Sequence, residues 1–345
     1  MPSSTSSFDN AADRIPPRAW MRHWAAVGGL AVLIFASAEI ALRVGGYKAS
    51  GAADSGRLLW SYHRSNVYQS GCRSIVLIGA SQMQAAIDLP AFDDRCPKHR
   101  VTQLAVNSHG SPMAVLRDLA SDRQFKGIVL ADVSAARFNG PRWMASQQSF
   151  VAHFRGAYSW YSPLECYLQW VTSSSSVVFN YNLIEKTRRV LRGRGSWWPA
   201  KAPVQFSFDR QIRLDLRSGN RTRELGTAPN GQPTEAIGPP VSGRFRDKLT
   251  QIESFVKQIR ARGGAVVFLR MPTGGRPWRD YQKVCPRRVW WATFEKHVPS
   301  ATFIHFKDVR AFGKYGCPDG LHLDQTDSPG FTRDLIDELE SRKVL

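Results

Sequence analysis

Two short runs carry residue types that can do chemistry together. Gly79-Ala80-Ser81-Gln82-Met83 follows an apolar stretch, so Ser81 falls at a strand-to-helix turn. A hydroxyl there lies near helix N-terminal amides, which favour developing negative charge. Pro318-Asp319-Gly320-Leu321-His322 lies near the C-terminus. An Asp three residues before a His can turn both side chains into one crevice. The carboxylate then holds one imidazole nitrogen while the other takes a proton from a serine. Each run alone has a plain alternative. Ser81 also suits a helix N-cap, and Asp319 and His322 also suit a polar loop. The G-x-S-x-G elbow is absent, because Met83 stands where its second Gly would be.

Further polar residues fall after other apolar runs. Asn107-Ser108-His109-Gly110 follows Val101–Val106, Asp132 ends 127–133, and Arg270 ends 264–270. Arg270 is a candidate for an anionic substrate group or for developing charge, and His109 for the same crevice. The alternatives are an Arg paired with a surface carboxylate and a solvated loop His.

The elements that must position these residues follow from the hydrophobic pattern. Buried strands are predicted over 74–79, 101–107, 127–133, 264–270 and 302–306. Pro112 suits a first helical position for a helix to Ser121. Helices are predicted over 244–262 and 329–342. Strands alternating with helices imply a parallel sheet covered on both faces. In such sheets ligands bind beyond the carboxyl ends of the strands, where Ser81, Asn107, Gly110 and Asp132 fall. The rhythm breaks over 136–243, a long insertion rich in Trp, Ser, Arg, Gly and Pro, expected to be partly helical around 158–171 and 178–191. Trp290-Trp291 is expected in a core helix. No internal repeat is present.

Together the motifs resemble the SGNH (GDSL-like) hydrolase superfamily, over about 72–135 and 244–342. The resemblance implies a flavodoxin-like, three-layer α/β fold with the sheet between helices. It implies Ser81 as nucleophile, His322 as general base and Asp319 as its orienter, with Gly110 and the Ser81 amide as oxyanion donors. No metal or organic cofactor is required. Where the family's third block places an Asn, this chain has Leu130-Ala131-Asp132-Val133-Ser134. A carboxylate repels an oxyanion, and loss of one donor costs on the order of 10²-fold in rate. Asn107 is a candidate substitute. The chain is also similar to membrane-anchored SGNH proteins of exopolysaccharide O-acetylation, such as the alginate O-acetylation proteins. That implies an acyl-enzyme on Ser81, a polysaccharide substrate and a membrane-bound O-acyltransferase or polysaccharide synthase complex as partner.

The N-terminus points to the same setting. A polar leader over 1–23, with Arg14, Arg18 and Arg22, precedes an apolar stretch over 24–42. Nineteen helical residues span about 28 Å, roughly one hydrocarbon core. The basic flank is expected to remain cytoplasmic, which puts a domain over 60–345 in a bacterial periplasm, held by a single-pass inner-membrane anchor. Ala36-Ser37-Ala38 also fits a signal-peptidase site, so anchor and cleaved signal both stay open. In an oxidising compartment Cys72 with Cys96, and Cys285 with Cys317, are possible disulfides that leave Cys166 free. The cysteine spacings fit no zinc pattern.

Composition bounds the rest. Of 345 residues, 43% are hydrophobic and 22% charged, which excludes disorder throughout. Mean hydropathy of −0.32 excludes a multi-span membrane protein. Five Cys are too few for a disulfide scaffold. The net charge is +19, and residues 183–225 hold eleven Lys or Arg against four acids, with Trp197-Trp198 among them. Such a stretch can bind nucleic acid, a partner that an exported, anchored protein seldom meets. Anionic lipid headgroups and glycans fit better. The expected activity is a serine acyltransferase or esterase acting on acetyl-type esters of an exopolysaccharide. The rival is a non-catalytic SGNH-fold subunit of a polysaccharide synthesis or export complex.

Overall fold

The structure is a computed structural model and describes residues 17–46, 49, 56–68, 72–107, 110–135, 138, 143–180, 204–217 and 243–345. The strands are β1 (Arg73–Ile78), β2 (His99–Gln103), β3 (Ile128–Asp132), β4 (Val204–Phe206), β5 (Ile212–Leu214), β6 (Ala265–Arg270) and β7 (Thr302–His305). The helices begin with α1 (Pro17–Val44), α2 (Arg57–Ser65), α3 (Ser81–Ala86), α4 (Leu89–Arg95), α5 (Met113–Ser121) and α6 (Gln148–Gly156). They continue with α7 (Ser162–Ser175), α8 (Val177–Asn180), α9 (Gly243–Arg260), α10 (Gly275–Val284), α11 (Arg287–His297) and α12 (Ser328–Ser341).

Five strands form one parallel sheet in the order β2-β1-β3-β6-β7. Counting only the strands of this sheet, that is the flavodoxin-like order 2-1-3-4-5. The fold is therefore the α/β sandwich that the strand and helix rhythm implies. The apolar runs are buried on both sides, as a covered parallel sheet requires. Val76, Ile78, Val129, Ala131, Val266 and Phe268 face one core, with helices α5, α9 and α11 over it. Ile75, Leu77, Ile128, Leu130, Val267 and Leu269 face the other, under α3, α4 and α12. Trp290 and Trp291 belong to the first core, as expected.

The chain divides into two compact units, Met1–Ala49 with Ser176–Pro199, and Ser50–Ser175 with Ala200–Leu345. In the first, Trp20–Val44 of α1 has a mean hydropathy of 2.1 and is long and apolar enough to cross a membrane or to serve as a signal sequence. Glu39 accepts from the backbone amides of Val177 and Val178, each at 3.0 Å.

In the second unit, the region expected as an insertion contributes α6, α7 and the β4–β5 hairpin. Helix α7 covers the first of the two helical stretches anticipated there. Of the second, only the residues up to Asn180 are described. The basic residues between 181 and 203 lie outside the described residues. Helix α6 packs its Phe150 and Phe154 rings on Trp60 of α2. The possible disulfides do not form, and all five cysteines are free thiols. Cys285 sits in the core on one side of the sheet, whereas Cys317 packs against the core on the other. Cys72 is exposed ahead of β1, whereas Cys96 is buried after α4.

Candidate active site

The turn after β1 is built around Gly79. Its φ of +153° favours glycine, and a Cβ there would stand 2.9 Å from the Asp132 Cβ and 3.1 Å from the Met83 Cβ. The Gly79 carbonyl accepts from the Val106 amide at 3.1 Å and from Gln147 Nε2 at 2.8 Å. The carboxyl ends of β1 and β3 and the segment after β2 therefore converge on this residue. It is also the point where the strand order reverses, the crevice in which open α/β sheets bind ligands. Ala80 is extended and α3 begins at Ser81, so the hydroxyl stands on the first helical turn.

Ser81 and His322 meet there although 241 positions separate them. Ser81 Oγ lies 2.9 Å from His322 Nε2, and His322 Nδ1 lies 2.7 Å from Asp319 Oδ2. With the Nδ1 proton donated to Asp319, Nε2 is left to accept from the serine hydroxyl. The other Asp319 oxygen accepts from the Leu321 amide at 2.8 Å and the His322 amide at 2.7 Å. Burial alone pushes the Asp319 carboxyl upward. The His322 ring and the two amides outweigh it and hold the group below the ordinary aspartate range. Asp319 is thus a fixed carboxylate, and it orients an imidazole whose far nitrogen faces a hydroxyl.

Gln82, next to Ser81, ties the two motifs together. Its Nε2 donates to the Leu321 carbonyl at 2.7 Å, with Pro272 O and Thr273 Oγ1 each at 3.3 Å. Leu321 lies between Asp319 and His322, so α3 grips the histidine loop directly. Arg270 stands behind this contact. It is 4% exposed, its Nη1 is 3.4 Å from Gln82 Oε1, and its guanidinium lies 4.9 Å from the centre of the Tyr281 ring. It is at the expected end of the sheet, facing Gln82 and Tyr281. Gly320 fits the loop against the start of α10: its φ is +82°, and a Cβ there would stand 2.8 Å from Pro277 Cγ. Cys317 Sγ donates to the Pro272 carbonyl at 3.3 Å. Burial, with Asp319 nearby, pushes this thiol up to about 12.

A strap from the region expected as an insertion holds both motifs from outside. Ile212 and Leu214 of the β4–β5 hairpin pack with Ala85 of α3. The amides of Leu216 and Arg217 donate to Asp324 Oδ2 at 2.7 and 3.0 Å, two residues beyond His322. Arg210, between the hairpin strands, is buried with a φ of +70°. It donates to the Gln103 and Ala105 carbonyls at 3.1 and 2.8 Å, beside the end of β2.

On the oxyanion side, the 3.1 Å bond from the Val106 amide to Gly79 O sets the next residue, Asn107, leaving the sheet next to the serine turn. Gly110 follows, half-buried, before α5. Ser108 and His109 lie outside the described residues. Asp132 is buried at the end of β3, against Gly79. Among the described residues, no group of three or more His, Cys, Asp or Glu is placed to hold a metal ion.

Sequence reasoning missed Gln82, Asp324 and Arg210. Gln82 and Asp324 adjoin the two motifs in sequence, and each buries a polar side chain. Arg210 carried no comparable signal.

No protein-family model matches the chain, and no curated protein matches it in sequence. Among solved structures it is similar to TesA, at 12% identity and a TM-score of 0.35, over 78% of this chain and 99% of that one. It is similar to the psychrotrophic esterase EstA from Pseudoalteromonas sp., inhibited by monoethylphosphonate, at 11% identity and a TM-score of 0.34, over 78% of this chain and 97% of that one. The protein YxiM from Bacillus subtilis aligns at 9% identity and a TM-score of 0.34, over 79% of this chain and 57% of its own.

Proposed function

We propose that this chain is a membrane-anchored serine acyltransferase or esterase of SGNH type. It acts on acyl esters, acetyl by preference, of a cell-envelope polysaccharide in the periplasm. The observation that carries the chemistry is the unbroken hydrogen-bonded series Ser81–His322–Asp319, at 2.9 and 2.7 Å. Those separations are within reach of proton transfer.

In this reading Ser81 Oγ attacks the acyl carbonyl carbon and its proton passes to His322 Nε2. The fixed Asp319 carboxylate stabilises the imidazolium. The oxyanion lies against the Ser81 amide, on the open first turn of α3, and the Gly110 amide. Collapse expels the alcohol, which takes the proton from His322 and leaves an acyl ester on Ser81. A sugar hydroxyl, or water, then gives its proton to His322 and attacks that ester, regenerating the serine. A membrane-bound O-acyltransferase is the natural donor for the transfer branch. The apolar α1 and its basic flank support the anchor and the periplasmic orientation.

The test is intact-mass analysis after incubation with a small acetyl ester. The wild type is expected to gain one acetyl group and to turn the ester over. Ser81→Ala is expected to gain none and to lose on the order of 10³-fold or more in turnover. Unchanged turnover in the variant rejects Ser81 as nucleophile. The rival is a non-catalytic subunit of a polysaccharide complex. Its one favouring observation is the buried carboxylate of Asp132, where the SGNH pattern has an oxyanion-donating Asn. A wild type that is inert to a serine-directed phosphonate selects that rival.

A further inference from the structure

Helix α7 buries small polar residues and exposes large apolar ones. Ser162, Cys166 and Ser173 face inward. Leu164, Tyr167, Leu168 and Val171 are between 40% and 63% exposed, and Trp160, just ahead of the helix, is 91% exposed. The spacing 164, 167, 168, 171 draws one continuous stripe along the helix. Glu165 is the one charged residue in its sequence. An apolar patch of this kind on a water-facing surface marks an interaction site.

The chain itself indicates the partner. One peptide bond after α7, Ser176 Oγ donates to Glu39 Oε2 at 2.9 Å, and the Val177 and Val178 amides donate to the same carboxylate. The Phe179 ring then lies 5.1 Å from the Phe35 ring. Glu39 and Phe35 belong to the membrane-length helix α1, so the polypeptide that leaves the stripe is fastened directly to it. A carboxylate on a membrane-length helix is costly unless its oxygens are satisfied. Here Arg43 at 2.7 Å and the three donors of 176–178 satisfy it. Trp and Tyr beside Leu on a helix with few charges is the composition of a segment that lies in the headgroup layer.

We propose that α7 is an interfacial helix. Its Leu164–Val171 stripe and Trp160 face the acyl chains of the same bilayer that α1 spans, giving the α/β unit a second attachment. This requires α1 to remain uncleaved and is independent of the chemistry at Ser81.

The full chain, reconstituted in phosphatidylethanolamine and phosphatidylglycerol vesicles, carries p-benzoylphenylalanine in place of Leu168 and is irradiated. Peptide mass analysis is expected to find a lipid adduct at 168. The same probe replacing Gln258, exposed on α9, is expected to give none. Leu164→Glu with Leu168→Glu, probed at Tyr167, is expected to lower the lipid yield several-fold. Equal lipid yields at 168 and 258, no adduct at 168, or adducts there to protein alone overturn the assignment.

Discussion

In the proposed mechanism His322 takes the Ser81 proton while Asp319, 2.7 Å from its other ring nitrogen, holds the proton there. Asp319→Asn is expected to lower kcat on the order of 10²- to 10⁴-fold with little change in KM, because it acts on the imidazolium formed in the transition state. The depressed Asp319 also gives a sign for pH. Its contribution to stability is complete above the unfolded value of about 3.9 and is lost as pH falls through its lower folded value. Asp319 therefore remains charged throughout the range in which histidine titrates, and steady-state kinetics across that range are expected to show no separate loss from its protonation. Gln82 is a positioning residue. Gln82→Ala is expected to lower kcat more than it raises KM. Gln82→Glu keeps an acceptor towards Arg270 but has no donor for the Leu321 carbonyl, so it is not expected to rescue the rate.

At the scale of elements, the site depends on a hairpin that contributes none of the reacting groups. Asp324 joins it to the histidine loop by two amide donors, and burial of that carboxyl is outweighed by Thr326, Leu216 and Arg217, which hold it below the ordinary range. Asp324→Ala is expected to cost about 1.5–3 kcal/mol in denaturant unfolding, the scale of hydrogen bonds to a charged group. It is also expected to reduce turnover by loosening the loop. This hairpin illustrates what the sequence concealed. Its strands are three residues each, too short for alternation to register, and the groups that tie it to the rest of the domain, the Asp324 carboxylate and the Gln103 and Ala105 carbonyls, lie 105 to 108 positions away. The central parallel strands β1, β3 and β6 were legible because each is an apolar run buried over most of its length, as Ile75–Ile78 shows, whereas the edge strands β2 and β7 are half-exposed at their starts. Ser81, Asp319 and His322 could be singled out because chemistry restricts their types, and the fold brings the three side chains within hydrogen-bond distance. The partner that Gln82 grips was not, since any residue at 321 offers the same carbonyl. The supposed disulfides failed for a related reason: sequence spacing does not say which face of a sheet a thiol occupies.

Across the whole molecule, two buried histidines set the acid limit. Burial, with the Arg210 charge nearby, pushes His63 down to about 4. Burial, with Arg287 and Arg270, pushes His305 down to about 3. Between those values and the ordinary 6.5 the unfolded chain binds protons that the native one refuses, so stability rises with pH over that interval. The melting temperature is expected to fall as pH drops from about 6.5 towards 4. His305→Gln, measured by the same thermal scans, is expected to flatten the fall.

The span of 241 positions between Ser81 and His322 also governs when the site comes into being. A chain emerging from its N-terminus displays the serine early, beside no base. The imidazole arrives only after the last strand of the sheet, and contacts so distant in sequence form late. Under the proposed function the serine is thus an ordinary alcohol throughout synthesis, and reactivity is conferred on it by the final segment of the polypeptide.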